Sequence, residues 1–179
     1  MSSGAMVHRF LVAVSNVDRH VYETLDLRVA RHPSETEPYL AARVLAYALE
    51  FQPGLAFTRG LSDPDPPALV VRDATGRLEA WIEIGTPDAA RLHRAAKAAP
   101  RVAVYTHTDA PRYWASLAGA RIHREEALEL KALDRGLVGA LAAALERRTA
   151  FELSLNDGTL YLTLDGVVHA AALEVHRLG

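Results

Sequence analysis

The chain opens on two stretches in which apolar and polar residues alternate. Residues 7–16 and 21–30 are rich in β-branched side chains, which predicts two strands. The polar Ser15-Asn16-Val17-Asp18-Arg19 segment joins them as a hairpin. In the second strand Val21, Leu25, Leu27 and Val29 share a face, with Glu23 as the exception. His32-Pro33 breaks the strand and Ser34 opens a helix, where Ser34 and Glu37 fit an S-x-x-E capping box. Leu40, Val44, Tyr47, Ala48 and Phe51 follow at helical spacing as one apolar stripe, and Pro53-Gly54 stops it.

A short extended piece at 55–59 and a loop rich in Pro and Asp at 62–67 come next. Residues 68–73 and 77–84 read as paired strands around an Ala74-Thr75-Gly76 turn. Thr86 suits an N-cap, Pro87 the first helical position, and Asp88 complements the helix dipole. The helix over 88–99 turns Leu92, Ala95, Ala96 and Ala99 inward, and a buried strand follows at 101–106. That strand–helix–strand order predicts parallel neighbours joined by a right-handed crossover. Helices are expected over 110–117 and 133–148, then strands at 151–155, 159–164 and 167–175. Asn156-Asp157-Gly158 and Asp165-Gly166 supply the turns between these last three. The fold class is α/β: a mixed sheet flanked by helices, with additional antiparallel hairpins at the N- and C-terminal ends.

At 179 residues the chain is expected to form a single domain over 7–179 behind a disordered leader at 1–6. The absence of cysteine excludes a disulfide framework, a thiol nucleophile and any Cys-ligated metal site. No apolar run approaches the roughly 18 residues of a membrane span, so no membrane is expected and a cytoplasmic location is. A net charge of −2 argues against coating nucleic acid through bulk charge but leaves room for a local basic groove. Of the 20 basic residues 18 are arginine, so a mechanism that needs an ammonium has only Lys97 and Lys131.

Candidate chemistry gathers in the first half. Glu35 stands at a helix start, Asp65 just before a strand, and Glu83 near the end of the next strand. A helix bearing Arg91, His93, Arg94 and Lys97 then follows. Carboxylates on adjacent strand ends can converge on Mg²⁺ or Mn²⁺, which favour hard oxygen ligands, while nearby cations hold a phosphate. The plainer reading is that Glu83 is the exposed side of an edge strand, Glu35 serves the helix dipole and Asp65 is a turn residue. The histidines show no metal-ligand spacing, and His107, at the end of the strand expected beside Glu83, reads as a local hydrogen-bonding residue. Arg59-Gly60 reads as a turn, Tyr113-Trp114 as a packed aromatic pair, and Arg147-Arg148 as a helix end.

Three motifs in order, His32-Pro33-Ser34-Glu35-Thr36, Phe57-Thr58-Arg59-Gly60-Leu61 and Trp81-Ile82-Glu83-Ile84-Gly85-Thr86-Pro87-Asp88, resemble the YaeQ family of bacterial proteins over nearly the whole chain. The resemblance implies a fold like that of restriction endonucleases, the PD-(D/E)xK phosphodiesterases, whose site uses acids on two strands, a lysine two residues after the second, and often a helical glutamate. Carried over, Glu35 resembles the helical glutamate and Glu83 the acid of the triplet. Asp65 resembles the upstream acid, with Asp63 and Asp73 as alternatives. Gly85 stands where the lysine is expected, and Arg91 and Arg94 look like relocated substitutes. Arginine can clamp a phosphate but cannot act as a general base. The resemblance therefore implies a metal-dependent phosphodiesterase or nuclease-like protein with Glu35, Asp65 and Glu83 as ligands to Mg²⁺ or Mn²⁺. The competing expectation is a non-catalytic module that binds nucleic acid or a protein partner, including one in transcription. Lys97 is expected to be solvated, and Arg91 to have the better line to the sheet.

Overall fold

Strand β1 (Met6–Asn16) turns through residues 17–20 into β2 (Val21–Arg31), and the two pair antiparallel from Met6 opposite Arg31 to Asn16 opposite Val21. The structure, a computed structural model, describes residues 6–58 and 66–178. Alternation along both strands puts Phe10, Val12, Val14, Leu25, Leu27 and Val29 on a buried face, as their pattern predicts.

Helix α1 (Glu37–Glu50) begins later than the capping box suggested. Thr36, not Ser34, is the N-cap and accepts from the Tyr39 amide at 3.2 Å, while the Ser34 hydroxyl lies 2.7 Å from His32 Nδ1. Proline at position 38 fits this start, since its missing N–H falls where no intrahelical partner exists.

Helix α4 (Arg135–Ala143), capped by Asp134, is shorter than the expected 133–148, and Arg148 opens strand β8 (Arg148–Asn156) instead of closing a helix. Tertiary pairing overrides local propensity here: β8 lies parallel to β1, with Arg9 opposite Arg148, and the Arg9 amide donates to the Arg147 carbonyl at 2.8 Å. Strands β9 (Thr159–Leu164) and β10 (Val167–Ala172) follow as an antiparallel meander. The hairpins expected to flank the sheet at either end are thus fused into one five-stranded mixed sheet, β10-β9-β8-β1-β2. The Asp18 carboxylate fastens the two turns by accepting from the Asp157 and Gly158 amides at 2.7 and 2.9 Å. With α1 and α4 packed on each other, this sheet makes one compact unit, Met1–Phe51 with Asp134–Leu173.

The second unit, Gln52–Leu133 with Glu174–Gly179, has its own sheet. It holds β3 (Leu55–Phe57), β4 (Leu69–Arg72), β5 (Leu78–Ile84), β6 (Arg101–Thr106), β7 (Glu129–Ala132) and β11 (Glu174–His176). Their order is β11-β7-β6-β5-β4-β3. Strand β5 runs through α2 (Ala89–Ala98) into a parallel β6, the neighbour relation that the strand–helix–strand pattern predicts. Asp88, not Thr86, caps α2 and accepts from the Arg91 amide at 2.9 Å. Strand β7 escapes the sequence pattern: it has four residues, follows a single 3₁₀ turn, and exists because it pairs parallel with β6. The last expected strand, 167–175, divides at Leu173 between the two sheets. The core of this unit places Leu92, Ala95 and Ala96 of α2 with Tyr113 and Leu117 of α3 (Ala110–Leu117) and Val104 of β6. No helix among the described residues is long and apolar enough to cross a membrane.

Candidate functional site

Glu83 lies near the C-terminal end of β5, buried at 5 % exposure and not on an open edge-strand face. Its Cα partner in the parallel neighbour β6 is Val104. Arg91, one turn into α2, forms a fork on it: Nε donates to Oε2 and Nη2 to Oε1 at 3.2 Å. The same Nη2 donates to the Pro66 carbonyl at 3.1 Å, and the guanidinium carbon stands 5.6 Å from the centre of the Trp81 ring. Two donors meeting two acceptors in a plane make this a charge-assisted pair of the stronger kind. Arg91 therefore does point to the sheet, and Lys97 is exposed, both as expected; Arg94 is also exposed.

Gly85 explains why no lysine follows Glu83 at the triplet spacing. Its φ is +101°, a region that L side chains rarely adopt, and its amide donates to the Tyr105 carbonyl at 2.9 Å to close β5 on β6. A lysine at this point would need another backbone. An acid-x-lysine triplet does occur at Glu129-Leu130-Lys131 on β7, unremarked in the sequence pattern. Glu129 accepts two bonds from Arg101 at 2.6 and 2.9 Å, and Lys131 Nζ lies 3.5 Å from Glu129 and 3.4 Å from the Tyr105 hydroxyl.

Tyr113 of α3 adds a group that the sequence reading assigned only to packing with Trp114, which it also does at 5.4 Å between ring centres. Its hydroxyl donates to the Pro87 carbonyl at 2.6 Å. Burial, then the negative charges of Glu83 and Asp88, push its phenol far above the ordinary tyrosine range.

Glu35 sits in the other unit, in the turn between β2 and α1 instead of within the first helical turn. Arg43 Nε and Nη2 donate to its two carboxylate oxygens, both at 2.9 Å, and the His32 amide adds a bond at 3.2 Å. Arg43 also donates to the Ala30 carbonyl at 2.9 Å, so the pair ties β2 to α1. The signal for this partner was present: Arg43 falls inside the apolar stripe of Leu40, Val44 and Tyr47, where a charge needs a counter-ion.

Asp65 and Asp63, with Arg59 and Gly60, lie outside the described residues. Asp73 is a turn residue: its Oδ1 accepts from the Thr75 amide at 2.8 Å, the Thr75 hydroxyl at 2.6 Å and the Arg77 amide at 3.0 Å. Those bonds, Thr75's hydroxyl first, hold its carboxyl below the usual aspartate range. His107 is buried beside the end of β6.

For a divalent cation the relevant question is which oxygens are open to it. Both Glu35 and Glu83 direct their carboxylates into arginine forks. Among the described residues no three His, Asp or Glu side chains are grouped so as to hold a metal. The described donor set, as arranged, does not fit a resident Mg²⁺ or Mn²⁺.

A different charge pattern surrounds His93 on α2. Its Nδ1 accepts from the His123 amide at 2.9 Å, and the two imidazoles meet edge to face at 6.3 Å. Desolvation, then the charges of Lys97, His123 and Arg121, hold His93 below the usual histidine range. Lys97 and Arg121 are both exposed, so this is a locally positive surface on an otherwise slightly acidic chain.

Residues 1–172 match the family model described as YaeQ protein. The chain is 30% identical over 166 residues to "Uncharacterized protein YaeQ" of Escherichia coli K12, covering 92% of each. It is 30% identical over 164 residues to the protein of the same name in Salmonella typhi, covering 91% of each. Its structure is similar to the crystal structure of YaeQ protein from Xanthomonas axonopodis pv. citri, with TM-score 0.88 and 33% identity over 98% of this chain and 99% of that one. The YaeQ protein from Pseudomonas syringae gives TM-score 0.85 and 30% identity over 96% and 95%. A family model spanning nearly the full length and relatives matched over 91–92% of each chain lead to one conclusion: this chain belongs to the YaeQ family.

Proposed function

We propose that the chain is a non-catalytic module, retaining a restriction endonuclease-like fold, that binds the phosphate backbone of nucleic acid in the cytoplasm. The observation that carries this reading is the pair of exposed cations, Lys97 and Arg121, beside the His93–His123 contact, where the rings meet at 6.3 Å and the His123 amide donates to His93 Nδ1 at 2.9 Å. Arg94, exposed on the same helix, extends it. A surface of this kind meets phosphates by charge, so affinity falls with salt. The test is fluorescence anisotropy with single- and double-stranded oligonucleotides at several salt concentrations, comparing the native chain with Arg94→Ala/Lys97→Ala. The expected result is weaker binding on every sequence and a salt slope lower by about two, one per lost phosphate contact. Absence of salt-dependent binding to either polymer overturns the reading in favour of a protein partner, including one in transcription.

One observation favours a second reading, a Mg²⁺- or Mn²⁺-dependent phosphodiesterase: Glu83 and Arg91, an acid and a phosphate-binding cation type, meet at the carboxyl end of a parallel strand. In it Glu83 supplies the carboxylate of the site and Arg91 the cation that meets the phosphate. Metal-dependent cleavage of DNA or RNA that is lost in Glu83→Gln establishes it over the binding reading. No turnover by folded protein removes it.

A further inference from the structure

Strand β2 ends the five-stranded sheet, so one side of its backbone pairs with β1 and no strand among the described residues pairs with the other. Soluble proteins usually blunt such an edge with proline, lysine, a bulge or a short strand. This one has 11 residues, no proline, no lysine and an unbroken register against β1. It also carries Glu23, the charge that breaks its apolar face.

Its charges are also ordered so that they complement a second strand of the same sequence. Consider two copies of β2 pairing antiparallel about a two-fold axis at Leu27, so that Leu27 faces Leu27 of the second copy. Asp26 then stands opposite Arg28, Glu23 opposite Arg31, Leu25 opposite Val29 and Thr24 opposite Ala30. Each pair occurs twice, as an isologous contact requires. Side chains opposite each other must share a face, so the axis can move only by whole residues. Moved by one, it sets Asp26 against Asp26 or Arg28 against Arg28, and like charges directly opposite are destabilising. The register centred on Leu27 therefore joins four opposite-charge pairs to apolar pairs on the covered face, where Leu25, Leu27 and Val29 are already buried.

The groups involved are accessible. Glu23, Asp26 and Arg28 are exposed, and the Asp26 side chain keeps 51% of its surface. Asp26 already accepts from Arg9 Nε and Nη2 at 2.9 and 2.6 Å, and a carboxylate has lone pairs for a further donor. Arg31 commits Nε to the Glu35 carbonyl at 3.1 Å, leaving its terminal amines for Glu23 of the second copy. The Ala30 carbonyl takes Arg43 and has a second lone pair for a strand partner.

We infer that β2 is a homodimerisation edge, taking a second copy of this chain in the register centred on Leu27 and joining the two five-stranded sheets. The test is sedimentation equilibrium on the full chain, with circular dichroism to verify folding of each variant. The native chain is expected to dimerise, more weakly as salt rises. Arg28→Asp and Asp26→Arg, which each place like charges opposite one another, should each raise the dimer dissociation constant at least about tenfold. Mixing these two variants should restore a heterodimer, because the two arginines of one chain then meet the two aspartates of the other across the seam. The double swap in one chain should restore the homodimer. A native chain monomeric up to about 1 mM overturns the inference. So does a dimer indifferent to Arg28→Asp, or variants that do not rescue each other on mixing.

Discussion

Removing Arg43 tests the claim that Glu35 is held by a counter-ion within its own unit. The Arg43 and Glu35 side chains are 8% and 2% exposed, and two bonds of 2.9 Å join them. In Arg43→Met the Glu35 carboxylate stays buried with the His32 amide, at 3.2 Å, as its remaining donor among the described residues, and the Ala30 carbonyl loses its Arg43 donor. Breaking one side of a buried pair costs about 3–5 kcal/mol, because the surviving charge keeps its desolvation penalty. For a chain of this length that corresponds to a fall in Tm of roughly 6–20 °C. Glu35→Leu combined with Arg43→Met should recover most of the loss, since replacing both partners by apolar groups of similar volume is often neutral. Urea denaturation and thermal melts of the native chain, both single variants and the double variant complete the cycle. A single variant costing less than about 1 kcal/mol, or a double variant as unstable as the two losses added, refutes the reasoning.

Three other outcomes follow from the structure. Arg91→Lys should destabilise the second unit by about 1–3 kcal/mol, because an ammonium cannot span both Glu83 oxygens and the Pro66 carbonyl; chemical denaturation checks it. Tyr113 keeps its proton in the folded state at pH values where an unfolded tyrosine, with pKa about 10, has lost it. Stability from this group is therefore complete below about pH 10 and declines as pH rises, and Tyr113→Phe should flatten the alkaline limb of a stability–pH curve. Gly54→Ala should lose more than about 1 kcal/mol. At φ +90° a Cβ would stand 2.0 Å from the Arg72 carbonyl oxygen, whose own amide bonds to Gly54 in return, and a thermal melt reads the loss.

Local chemistry made much of this molecule legible without a structure. Alternation placed β1, β2, β4 and β5, and the β5–α2–β6 order foretold their parallel pairing, because period and burial are properties of short stretches. The motif positions of Glu83 and Arg91 brought the two together for a similar reason: one sits at a strand end and the other one turn into the next helix, with only a short connection between them. Cap positions moved by two residues at both α1 and α2, since Ser34, Thr36, Thr86 and Asp88 are all competent and only the path of the chain chooses.

What the residues determined by themselves was most of the run of elements, β7 excepted, with the absence of thiol chemistry, the scarcity of lysine and the family. The tertiary structure decided the partition into two sheets, because the β1–β8 pairing joins residues some 139 positions apart and the chain's end returns to β7. It decided the shortness of α4, where a strand register outcompeted helix propensity over 144–148. It also decided the state of the two glutamates. Sequence supplies a carboxylate with two oxygens and leaves open whether a cation, a guanidinium or water meets them. Packing brought Arg43 to one and Arg91 to the other, and a buried charge takes the counter-ion that the fold delivers to it.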